Sequence, residues 1–145
     1  MANSLAEDFA VLAHTAGTAS STPLVTSYVS AKNCGRINLI ARLGDMANET
    51  IDIAIYQAVD TSGTSAKALK ANTQLAASAS ANDNSVHIIS VDANDLDIAG
   101  GFYTVAGRII TGAGTGGLAT IVVLGSDLRY APGDLVDIST STETP

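Results

Sequence analysis

Over residues 51–60 the chain reads Ile-Asp-Ile-Ala-Ile-Tyr-Gln-Ala-Val-Asp, with apolar side chains recurring at every second position. A period of two belongs to a strand with one buried face, and it predicts Ile51, Ile53, Ile55 and Val59 turned inward. Ile37, Leu39, Ala41 and Leu43 alternate with Arg36, Asn38 and Arg42 in the same way, while Ile40 breaks the alternation and points to a loop or a partner above it. Further β-rich runs lie at about 24–30, 86–91, 102–111 and 118–124, separated by clusters of Gly, Ser, Asn and Asp. Residues 66–77 combine helix-favouring Ala, Lys, Leu and Gln with flanking loops; we read them as a strand.

About six to eight short strands with no helical period between them exclude alternating βαβ units. They predict an all-β domain, an antiparallel β-sandwich or barrel. Ser4-Leu5-Ala6-Glu7 has the form of a capping box ahead of Phe9 and Leu12, which predicts a short N-terminal helix, with an extended arm lying on a neighbour as the alternative. The expected organisation is an arm over 1–20, one β domain over 21–133, and a small polar tail over 134–145 that cannot join a core.

Charge and size narrow the function classes. Seven Lys and Arg are scattered among fourteen Asp and Glu, for a formal net charge of −7, so no basic stripe exists to displace counterions from nucleic acid. No apolar run approaches the roughly 18 residues of a membrane span, and Glu7 and Asp8 stand where a signal peptide carries Lys or Arg. Synthesis in a cytoplasm is expected, with no membrane partner. Cys34 is the single cysteine, which excludes an intrachain disulfide. With no Trp, two Phe and four Tyr, few side chains can anchor a thick core, and oligomerisation or docking on a larger surface would stabilise the fold.

Three motifs invite chemistry. Gly112-Ala113-Gly114-Thr115-Gly116-Gly117 has dinucleotide-fingerprint spacing and follows a β-rich run, but Leu118-Ala119-Thr120-Ile121-Val122-Val123-Leu124 after it reads as another strand. Without a helix N-terminus there is no pyrophosphate site, so a hairpin loop is expected. Asp92-Ala93-Asn94-Asp95-Leu96-Asp97 gathers carboxylates as hard-cation loops do, yet lacks the EF-hand glycine and closing glutamate; Asx turns account for it and no metal is expected. Cys34, His14 and His87 could form a thiol–imidazole pair, but no nucleophile-elbow sequence accompanies them, so a buried structural thiol is expected. No catalytic residue and no cofactor are predicted.

Residues 91–105, Val-Asp-Ala-Asn-Asp-Leu-Asp-Ile-Ala-Gly-Gly-Phe-Tyr-Thr-Val, together with Leu124-Gly125-Ser126-Asp127-Leu128-Arg129-Tyr130-Ala131-Pro132, resemble stretches of capsid decoration (cement) proteins of tailed bacteriophages. The resemblance extends to the polar loop and the segment 67–75. It implies a β-rich, non-enzymatic virion protein, made in the host cytoplasm, that binds the major capsid protein on the exterior of the assembled head, commonly as a homotrimer. Leu5, Phe9 and Leu12 in the N-terminal arm, and Arg129, Tyr130 and Pro132 near the C-terminus, are the expected partner contacts, since Arg and Tyr beside a Pro-fixed turn are favoured interface chemistry. The same features suit a phage tail-tube or head-connector subunit. A β-sandwich carbohydrate-binding module is a further alternative, for which the aromatic content is low.

Overall fold

A computed structural model describes residues 8–112 and 114–129. The Ser4-to-Glu7 capping box, Leu5, Tyr130, Pro132 and the 134–145 tail lie outside the described residues. Among the described residues nine strands form in chain order: β1 (Phe9–Ala19), β2 (Leu24–Val25), β3 (Val29–Ser30), β4 (Arg36–Met46), β5 (Ile51–Ala58), β6 (Lys67–Ala71), β7 (Val86–Asp92), β8 (Thr104–Thr111) and β9 (Gly117–Ser126). A 3-10 turn, Ala93–Asp95, follows β7. One sheet has the order β1-β9-β4-β7, the other β2-β8-β5-β6 with β3 also on β8, and every pairing is antiparallel. The chain is therefore a β-sandwich, the first of the two architectures expected.

Alternation drives the packing. On β4, Ile37, Leu39, Ala41 and Leu43 are buried, and on β9 the in-register inward positions are Ala119, Ile121 and Val123. The facing sheet supplies Ile51, Ile53 and Ile55 from β5 and Val105 and Ile109 from β8, all essentially inaccessible. Between the last two sits Gly107, where a Cβ would lie 2.5 Å from Ile121 Cγ2 and 2.9 Å from Leu39 Cδ1. The layers meet closely there, and only a hydrogen fits.

Several expectations need correction. Phe9 and Leu12 lie in no helix: residues 9–19 form β1, an outer strand paired along its length with β9. Its register shifts between Val11 and Ala13, and Ala10, Leu12 and Ala13 are all buried in the core. From residue 9 onward the proposed arm is thus part of the β domain. Val59 is only half-buried, beyond the end of β5, whereas Ala54, Gln57 and Ala58 are buried. Gln57 is enclosed because its Oε1 accepts a hydrogen bond from the Asp97 N–H at 3.0 Å. Ala54 pairs with Arg108 and Ala106 with Tyr56, and the Arg108 guanidinium stacks on the Tyr56 ring, so long side chains cover small ones on the outer face. Ile40 lies on the outer face of the first sheet, in register with Val122 and Ile88.

β6 closes the open side of the sandwich with charge rather than apolar bulk. Lys67 pairs in register with buried Gln57 and Lys70 with buried Ile55. Lys67 Nζ reaches Asp97 Oδ2 at 2.6 Å and stands 4.0 Å from the Phe102 ring centre, while Lys70 Nζ donates to the Ser90 carbonyl at 2.7 Å. Lysines turned toward the interior at an edge strand discourage further pairing.

Gly107→Ala forces a methyl group against Ile121 and Leu39 of the facing sheet and is expected to cost about 1–3 kcal/mol, read as a lower urea midpoint with an unchanged m-value.

Candidate interaction surface

The strand ends place three loops together. Arg36 at the start of β4 is in register with Ser126 at the end of β9 and Asp92 at the end of β7, and Phe9 at the start of β1 also pairs with Ser126. In the second sheet Ser30 and Ala58 pair with Thr104. The 31–35 loop, the 93–103 loop and residues 127–129 consequently share one end of the sandwich. Backbone bonds lock them: Gly35 N–H donates to the Ser126 and Asp127 carbonyls, Ala93 N–H to Gly35, Arg129 N–H to Asn33, and Ala31 N–H to Tyr103. Buried backbone groups must find partners, and these loops find them in one another.

A cleft of about 730 Å³ opens among these loops. Ala31, Ala93, Leu96 and Ile98 give it an apolar lining, and Ile98 is 59% exposed. Lys32 and Arg129 bring positive charge to the same cleft, with Lys32 Nζ held 4.4 Å from the Tyr103 ring centre. An exposed apolar side chain beside Arg, Lys and Tyr is suited to a protein surface carrying an apolar group and a carboxylate.

Among the residues expected at an interface, Arg129 is exposed and lines the cleft, and Phe9 is half-buried at the same end of the first sheet. Leu12 belongs to the core and offers nothing to a partner. Leu5, Tyr130 and Pro132 lie outside the described residues. Lys32, Ile98 and Tyr103 were not anticipated; an apolar Ile98 between Asp97 and the small residues Ala99, Gly100 and Gly101 was the available signal. Of the two stretches that carry the phage resemblance, residues 91–105 and the described residues 124–129 both run through this end of the molecule.

The carboxylates near the cleft serve the loop backbone. Asp92 Oδ1 accepts from Asn94 N–H at 2.9 Å, and Asp97 Oδ1 accepts from Gly100 N–H at 2.9 Å. Asx turns formed by side chains of this kind are what the sequence predicted. The hydrogen bond from Lys67, followed by that from Gly100, holds the Asp97 carboxyl below the usual carboxylate range. Among the described residues no three His, Cys, Asp or Glu side chains are grouped to hold a metal ion. Cys34 is buried beneath the cleft, and desolvation pushes its thiol pKa up, against nucleophilic use. His87 binds Ser85 Oγ at 2.9 Å near the other end of β4, and His14 stands on the outer sheet face opposite Val122. The three groups do not converge.

At the far end of the sandwich, Glu49 Oε1 accepts from Thr115 N–H at 3.1 Å and Gly116 N–H at 3.3 Å. Glu49 is buried, and β9 starts at Gly117 directly after the loop. The glycine-rich segment is a strand connection whose N–H groups already face an internal carboxylate, where a dinucleotide fingerprint would present them to phosphate.

Glu49→Ala leaves these two N–H groups without their acceptor and is expected to cost about 1–3 kcal/mol by chemical denaturation. For Asp97 the folded-state pKa is depressed, so its stabilisation is present above the unfolded pKa and disappears as pH falls through the folded one. Asp97→Asn should therefore lower the thermal midpoint at neutral pH and flatten its decline on acidification, as followed by circular dichroism across the acid range.

No protein-family model matches the chain, and no curated protein matches it in sequence. Its fold is distantly similar to a chain from the solved structure described as "Bacillus endospore appendages form a novel family of disulfide-linked pili", at 13% identity and a TM-score of 0.44, over 87% of this chain and 96% of that one.

Proposed function

We propose that the protein is a non-catalytic structural component of a tailed-phage head, binding the outer surface of the assembled capsid lattice through the cleft end of the sandwich. The observation that carries this reading is convergence. The described parts of the two stretches resembling decoration proteins, 91–105 and 124–129, meet around one cleft where exposed Ile98 stands with Lys32 and Arg129. The partner is the major capsid protein, and the role requires neither catalysis nor a cofactor.

A cement protein acts through linkage. Binding to the assembled lattice and not to free shell subunits adds its binding free energy to the stability of the lattice. Repetition over a shell supplies many modest contacts in place of one very tight contact. A footprint spanning neighbouring capsomers explains selectivity for the mature head, because only that lattice presents both surfaces at the required separation.

Co-sedimentation with empty heads of the cognate phage tests the proposal. The protein should pellet with expanded heads and stay in solution with unexpanded ones. Ile98→Asp and Arg129→Glu, both at exposed positions, should keep the fold and weaken head binding by roughly tenfold or more, a loss of about 1.4 kcal/mol per factor of ten. Failure to pellet with either head form, or pelleting with tail tubes or connectors instead, overturns it.

A further inference from the structure

Five large apolar side chains stand exposed among the described residues, and four of them, Val11, Val86, Ile88 and Leu118, project from the outer face of the first sheet. Val122 and Ile40 link the strands between them: His14, Val122, Ile40 and Ile88 form one cross-strand row from β1 to β7. A polar network borders this band, with Asn38 Nδ2 donating to Ser126 Oγ and Ser90 Oγ donating to Asn38 Oδ1. The band runs out at β7, which among the described residues pairs with β4 alone.

Lys70 shows which way the β7 backbone faces. Its Nζ reaches the Ser90 carbonyl from the side away from β4, so that carbonyl points out of the sheet. In an antiparallel ladder the N–H and C=O of one residue point the same way and alternate along the strand. Val86, Ile88 and Asp92 therefore present their backbone groups outward as Ser90 does.

We propose that this edge pairs with the same edge of a second copy of the chain, antiparallel about a two-fold axis at Ile89, to give one continuous eight-stranded sheet. Centring on Ile89 uses the full length of Val86–Asp92. It sets Ile88 opposite Ser90 of the second copy and Val86 opposite Asp92 of the second copy, and the two Ile88 side chains become diagonal neighbours on one face. Charge complementarity selects a second copy as the occupant. Arg36 is in register with Asp92 and Arg42 with Val86, so the joined row reads Arg42, Val86, then Asp92 and Arg36 of the second copy. Asp92 of the second copy then has its own Arg36 on one side and, one strand beyond Val86 on the other, the long Arg42 side chain of the first copy, and symmetry repeats the arrangement, as an isologous contact requires. Lys70 competes for the Ser90 carbonyl and acts as a guard that limits pairing.

Light scattering on the isolated chain, without heads, tests this independently of the docking role. The mass should approach twice 14.6 kDa as concentration rises. Ile88→Lys should return it to 14.6 kDa with an unchanged far-UV spectrum, and Val86→Glu, which sets a second carboxylate directly opposite Asp92 of the second copy, should do the same. Lys70→Ala should let the dimer persist to roughly tenfold lower concentration, equivalent to about 1.4 kcal/mol. A monomer at every concentration overturns the proposal. So does a dimer indifferent to Ile88→Lys, a trimer, or a Lys70→Ala protein that associates more weakly.

Discussion

With Gly107 of one sheet set against Leu39, Ile121 and Val123 of the other, the layers come close enough for Ile, Val, Leu and Ala side chains to fill the space between them. That contact sets what the rest of the molecule can be. A chain without Trp cannot fill a wide gap between sheets, and small aliphatic residues reach native packing density only where the backbones approach. The narrow centre in turn fixes the register of β4, β8 and β9, because a slip of one residue would turn Leu39, Ile109 and Ile121 out to solvent. Register then decides which strand ends coincide, and so which loops become neighbours at each end.

The central strands were legible because both of their faces are constrained by one rule. β4, β5, β8 and β9 lie inside their sheets, and their alternation follows directly from burial. β1 was obscured because it is an outer strand rich in Ala, Gly and Thr with a register shift at Val11/Ala13, so its spacing fits neither a clean strand nor a helix. A capping-box sequence just upstream weighted the choice toward helix, and pairing with β9 overrode that local preference. The cleft was half legible. Arg129 stood out by residue type, but Lys32, Ile98 and Tyr103 become its neighbours only through strand pairings that no local pattern encodes.

Residues that looked most chemical share a common use. Asp92, Asp97 and Glu49 direct their carboxylates at backbone N–H groups of turns, and Lys67 and Lys70 reach across the gap between the sheets. In a domain with a thin apolar core, long irregular connections need such internal partners to be ordered at all, since a buried N–H without an acceptor costs more than a hydrogen bond returns. Short polar side chains near Gly can thus produce the outline of a metal loop or a phosphate cradle while serving the fold alone.

The two surfaces left over are geometrically separate. The cleft lies at one end of the sandwich, while the β7 edge runs along its side, so occupying one leaves the other open. The proposed antiparallel pairing of β7 about Ile89 would carry the two clefts to opposite ends of the joined sheet. A particle with two identical docking ends on a continuous, hydrogen-bonded sheet has little freedom to lose on engaging a second site, and its span is set by the sheet. Such a body rewards a lattice whose spacing matches that span and gains little from isolated shell subunits. On the proposed function, selectivity for an assembled surface would then follow from rigidity and valence, with each contact individually weak.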